Sequence, residues 1–98
     1  MNLDDFKEKI EEHGGFQSVK LSPHMRFRAG QRRLDWPKIK EEIRNGRIED
    51  VEENRKPNSS IPYEDAYVMF IIVDGQNLTV PMYFLENGAM KAVTVMRE

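Results

Sequence analysis

The chain contains no cysteine. Disulfides, thiolate metal sites and cysteine nucleophiles are therefore excluded. Histidine is scarce as well: only His13 and His24 are present, so a histidine-rich metal centre is not expected. No run approaches the ~18 apolar residues that mark a membrane helix. The acidic start MNLDDFKEK has no apolar secretion core. Together these absences predict a cytoplasmic protein with no membrane partner. There is no Gly-rich phosphate loop, nucleophile elbow or metal-spaced cluster. No cofactor and no bound metal are expected. Internal repeats and low-complexity segments are absent too.

What is present is charge, unevenly placed. The formal net charge is −2, with charged residues at 33% and apolar residues at 39%, a globular composition. Residues 1–19 sum to −3, residues 20–47 to +6, residues 48–66 to −4 and residues 67–98 to −1. A pI argument for nucleic acid fails for the whole chain but survives for the second segment. The 98 residues predict one domain, 1–98. Its parts are an N-terminal helix (1–15), a basic helical hairpin (21–46) and an antiparallel sheet (47–98).

Leu3, Phe6 and Ile10 make an apolar stripe, with Asn2 as cap and Gly14-Gly15 as stop. Ser22-Pro23 opens a second helix, because serine caps and proline at the first helical position loses no needed N–H. It is expected to run to about Arg33, with Met25 and Ala29 inward. Asp35 caps a third helix that carries Ile39 and Ile43 and stops at Asn45-Gly46. From Arg47 the period changes. A polar strand RIEDVEE precedes a loop over 54–62. The apolar run YVMFIIV (67–73) reads as the central strand. Asp74-Gly75 and Asn87-Gly88 are hairpin signals. Pro81 inside the next strand, 78–85, predicts an edge or a bulge. The last strand, 90–96, is expected to alternate Ala92, Thr94 and Met96 against Lys91, Val93 and Val95. The expected class is α+β: N-terminal helices packed on one face of a four-stranded antiparallel sheet.

The basic helix carries the chemistry. His24, Arg28 and Gln31 or Arg32 share one helix face, while Arg26 and Arg33 form another exposed pair. Such arginines pair phosphates and stack on bases, which suits RNA; equally, they suit a solvated face paired with Glu49, Asp50, Glu52 and Glu53. His24 beside arginines has the chemistry of a general base for a ribose 2′-hydroxyl, or of an imidazole bonded to backbone. Tyr63, Tyr67 and Tyr83 are either base-stacking and proton-donating groups or amphipathic rim residues. Trp36 reads as core or interface. Lys91, Thr94 and Arg97 on the last strand are candidates for phosphate contact. The catalytic candidates are therefore His24, Arg28 and Tyr83, and the nucleic-acid-binding candidates are Arg26, Arg32, Arg33, Lys91 and Arg97.

The run His24-x-Arg26-x-Arg28-x-x-x-Arg32-x-Leu34-Asp35, then Ile39, Ile43-Arg44-Asn45-Gly46 and Ile48, resembles a family of small prokaryotic domains of unknown function. Their helix reads roughly H-A-R-x-R-M-x-x-R-G-I-S and is followed by a helix ending in R-N-G or R-N-P. Val93-Thr94-Val95 with Arg97 matches their basic end, and the similarity spans residues 21–97. Three features depart from the pattern: Met96 stands where such domains often end in tyrosine, Arg33 replaces a glycine, and the N-terminal helix is extra. That family is similar to the RelE/ParE-like and BrnT-like toxin folds. The resemblance implies a RelE-like fold and a metal-independent ribonuclease ancestry, with RNA and an antitoxin-like protein as partners. The other class left open is a non-catalytic interaction module, or a dimerising domain that self-associates. Convergence of His24 and the arginines with Tyr83 or Lys91 in an open cleft belongs to the first class. Dispersal of these residues, or their cover by residues 49–53, belongs to the second.

Overall fold

A computed structural model describes residues 1–57 and 62–98. Part of the expected 54–62 loop, residues 58–61, lies outside them. The chain order is α1 (Leu3–Glu12), a 3-10 turn (Phe16–Ser18), β1 (Val19–Leu21), α2 (Pro23–Gln31) and α3 (Trp36–Arg44). Then come β2 (Asp50–Glu53), β3 (Tyr63–Val73), β4 (Gln76–Leu85), β5 (Met90–Ala92) and β6 (Met96–Arg97). The class is α+β.

Each helix starts where its cap dictates. Asn2 Oδ1 accepts from the Asp5 N–H at 2.8 Å, Ser22 Oγ from Met25 at 3.0 Å and Asp35 Oδ1 from Lys38 at 3.2 Å. The end of α2 is a Schellman turn. Leu34 N–H donates to the Ala29 carbonyl and Arg33 N–H to that of Gly30. Arg33 therefore sits at φ 55, in the left-handed region that favours glycine. At the end of α3, Gly46 takes φ 68 with the Phe16 ring 3.0 Å from where a Cβ would stand. Both the backbone and the packing ask for glycine there.

The sheet differs from the expected four-stranded antiparallel meander. Among the described residues it has six strands in the order β1-β5-β4-β3-β2, with β6 also on β4. The added strand β1 pairs parallel with β5, Val19 opposite Met90, so the sheet is mixed. Three residues cannot announce a strand by periodicity, and a parallel neighbour about seventy residues later leaves no local sign.

The expected last strand is split, and Pro81 explains the split. β4 pairs β5 through Met82 and β6 through Thr79, with Pro81 between them. The Pro81 carbonyl accepts from Val93 N–H at 3.0 Å, so its nitrogen faces the same side. That nitrogen has no hydrogen to give, and the ladder breaks where it is missing. Across the break Ala92 and Val95 are both fully buried, which ends the expected alternation. The hairpin at Asp74-Gly75 has positive φ at both residues, 52 and 75, which matches the twist of the strands it joins.

The core lies between the helices and one sheet face. Phe6 and Ile10 of α1, Met25 and Ala29 of α2, and Ile39 and Ile43 of α3 meet Met69, Ile71, Leu78, Val80 and Met82. The Phe6 ring stands edge-on to Tyr67 at 5.3 Å, and Tyr67 stands edge-on to Phe84 at 5.6 Å. Lys9 ties α1 down through Asp65, with its ammonium 4.6 Å from the centre of the Phe84 ring. Among the described residues no helix covers the opposite sheet face.

Candidate functional site

The start of α2 is fixed to the bend between β5 and β6. Ser22 N–H donates to the Ala92 carbonyl at 3.1 Å, and Ser22 Oγ–H donates to that of Val93 at 2.8 Å. Ser22 is itself buried. Further along, Arg32 donates to the Val95 carbonyl at 2.8 Å, and Arg97 donates back to the Arg32 carbonyl at 2.6 Å. The helix therefore runs beside residues 92–97, with the His24–Arg28–Arg32 face toward them.

This placement brings His24 and Tyr83, 59 positions apart, to the walls of one cleft of about 410 Å³. Asn54, Lys56, Pro81 and Thr94 also line it, and none of its described lining residues is a carboxylate. His24 is exposed. Tyr83 is 4% exposed, with its ring 5.3 Å from Tyr63. Lys91 stands opposite Tyr83 in the ladder, so it shares that sheet face. Arg28, one turn beyond His24, is half-buried and donates to Gln31 Oε1 at 3.1 Å.

Neither Arg28 nor Lys91 lines the cleft, and the remaining candidates lie elsewhere. Arg26 lines a second cleft, of about 310 Å³, with Trp36, Lys40 and Arg44. Arg33 faces a third, beside Asp35 and Asp74. Arg32 and Arg97 are tied to backbone carbonyls, as described above. Arg44 acts as a clamp: its Nη1 donates to the carbonyls of Phe16, Gln17 and Val19 at 3.0, 3.1 and 2.6 Å. Gln17 Nε2 returns a bond to the Arg44 carbonyl at 2.8 Å.

Charge pairing follows a local pattern. Arg47 pairs with Glu41 and Glu42, and Lys38 with Asp35 and Asp74. The Asp74 carboxylate raises the Lys38 pKa, and Glu42 raises that of Arg47. Burial pulls the Lys9 pKa down, but the hydrogen bond to Asp65, together with Tyr67 and the Asp65 charge, outweighs it and leaves a net upward shift. Among the described residues no ion pair joins an arginine of α2 to Glu49, Asp50, Glu52 or Glu53. No group of three metal-ligating side chains is found among them. None of their helices is long and apolar enough to cross a membrane.

Sequence reading missed Asn54 and Lys56 as cleft residues. The one available signal was Arg55-Lys56, a basic pair inside the acidic segment 48–66. Comparison of this chain with family models, curated proteins and solved structures found no match.

Proposed function

We propose that this protein is an RNA-directed domain of the RelE/BrnT-like toxin type, acting on single-stranded RNA at the His24 cleft. The observation that carries the reading is the meeting of His24, Lys56 and Tyr83 in one cleft whose described lining residues include no carboxylate. A phosphodiester needs such a place: cations and donors to hold it, and no like charge to repel it. The exposed His24 imidazole accepts the ribose 2′-hydroxyl proton. The 2′-oxygen then bonds to phosphorus while the bond to the 5′-oxygen breaks, and water supplies the leaving oxygen with its proton. The products are a 2′,3′-cyclic phosphate and a 5′-hydroxyl. Lys56 and Arg28 offset the charge that develops on the phosphoryl oxygens.

The resemblance gains weight from Arg33, whose backbone takes the conformation glycine favours where the related domains have glycine. The order of helical hairpin and then antiparallel strands also agrees with a RelE-like arrangement. A second reading, the non-catalytic interaction module, is favoured by the scatter of Arg26, Arg33 and Arg97 away from the cleft.

The test is inducible expression of wild type, His24→Ala and Arg28→Ala at matched soluble levels, with growth and RNA 5′-ends followed. Growth arrest with new 5′-hydroxyl ends, relieved in the variants, is the expected result. Normal growth with intact RNA at high soluble expression returns the interaction module.

A further inference from the structure

Val68, Phe70 and Ile72 of β3 alternate with the core residues, so their side chains lie on the helix-free face. Phe70 stands opposite Thr79, Val68 opposite Pro81, and Thr79 opposite Met96. This face is apolar along its middle, with Ile72 43% and Met96 37% exposed. An antiparallel sheet with one face in water ordinarily turns polar residues outward. β3 does not, although its neighbours place Asp50, Glu52, Asn77 and Thr79 on this face, and an uncovered apolar strip marks an interaction site.

The two ends of the face carry opposite charge. At the Ile72 end is a groove of about 260 Å³ floored by Phe70 and Ile72. Its walls hold Glu49, Asp50, Glu52 and Glu98, and no described cation lines it. At the Tyr83 end is the His24 cleft with Lys56, and Lys91 is on the same face. Asp50 and Glu52 stand opposite Phe70 and Val68 on β2, whereas Lys91 is three strands away on β5, so the two ends lie diagonally across the face, roughly 14 Å apart across the strands. A half-turn about an axis lying in the plane of the face, between the two ends, exchanges them. The face is then complementary to itself, apolar middle on apolar middle and carboxylates on cations, twice over. Such an isologous contact closes as a dimer.

We propose that two copies pair through this open face, and that the carboxylates of each occupy the His24 cleft of the other, where RNA phosphates would otherwise sit. The occupation of the cleft rests on the RNA reading; the pairing does not. The dimer is thus a resting form that RNA must displace.

The test is sedimentation equilibrium of the full chain, with and without a single-stranded RNA oligonucleotide. Wild type is expected to be a dimer. Ile72→Glu should weaken it by roughly tenfold or more, with a urea midpoint equal to that of wild type when both are diluted to the monomer. Asp50→Lys/Glu52→Lys and Lys56→Glu/Lys91→Glu should each be monomeric alone and dimeric when mixed, because mixing restores both charged contacts. A wild type that is monomeric at submillimolar concentration overturns the proposal. So does a dimer indifferent to Ile72→Glu, or a mixture that stays monomeric. The two readings separate cleanly. If the wild type pairs as predicted and monomeric Ile72→Glu binds no RNA, the pairing stands and the RNA reading falls. If the wild type is monomeric and binds RNA, the reverse holds.

Discussion

Tyr67, Met69, Ile71 and Val73 point from β3 toward the helices, and all are buried. Val68, Phe70 and Ile72 point away from them, are equally apolar, and stay partly or largely exposed. The two faces of one strand thus have the same chemistry and different fates. Hydrophobicity made both faces fit for burial; only the three helices of the other side decided which was covered. The uncovered face keeps unspent driving force, and the charges at its ends direct where that force can act.

The largest expected effect comes from emptying the covered side. Phe6→Ala should lower stability by about 3–5 kcal/mol in urea unfolding, since it removes a fully buried ring from the Tyr67–Phe84 cluster. Phe70→Ala on the open face should cost less than about 1 kcal/mol in the monomer. Equal losses would break the comparison.

Arg44→Ala comes next, at about 1–3 kcal/mol, because three carbonyls that steer the chain into β1 lose their donor. Lys9→Met should cost about 1 kcal/mol or less, since Lys9 and Asp65 are both partly exposed. The sign with pH is fixed by the upward Lys9 shift. Its contribution is complete below the usual lysine range and is lost as pH rises through the higher folded value. The gap between wild type and Lys9→Met should therefore close only in strongly alkaline urea titrations. Arg33→Gly should act in the opposite direction, raising the urea midpoint by the equivalent of about 0.5–1 kcal/mol, by relieving a left-handed backbone on neither sheet face.

Legibility followed the range of the interaction. Asn2, Ser22 and Asp35 announced their helices because a cap acts over three residues. Asp74-Gly75 announced its hairpin because two left-handed residues suffice to make the turn. β1 was illegible, since Val19–Leu21 is a strand only against Met90–Ala92. Pro81 was legible as a disturbance but not as the cause of two strands, because which side its nitrogen faces depends on register. At the site, His24 and Arg28 were placed on one face by helical spacing alone. That Tyr83 and Lys56 would meet His24, while Arg26 and Arg33 would not, depended on how Ser22 docks α2 against the β5–β6 bend.

By itself, then, the sequence determined the helices, their caps, the tight turns, the central apolar strand and the position of the basic segment. These rest on steric and hydrogen-bonding preferences that close within a few residues. The tertiary structure alone decided the parallel edge strand, the split after Ala92, the cleft that joins His24 to Tyr83 and the sheet face left bare. Each of these is a contact between segments far apart in the chain, and it exists only once loop-closure entropy has been met by packing elsewhere.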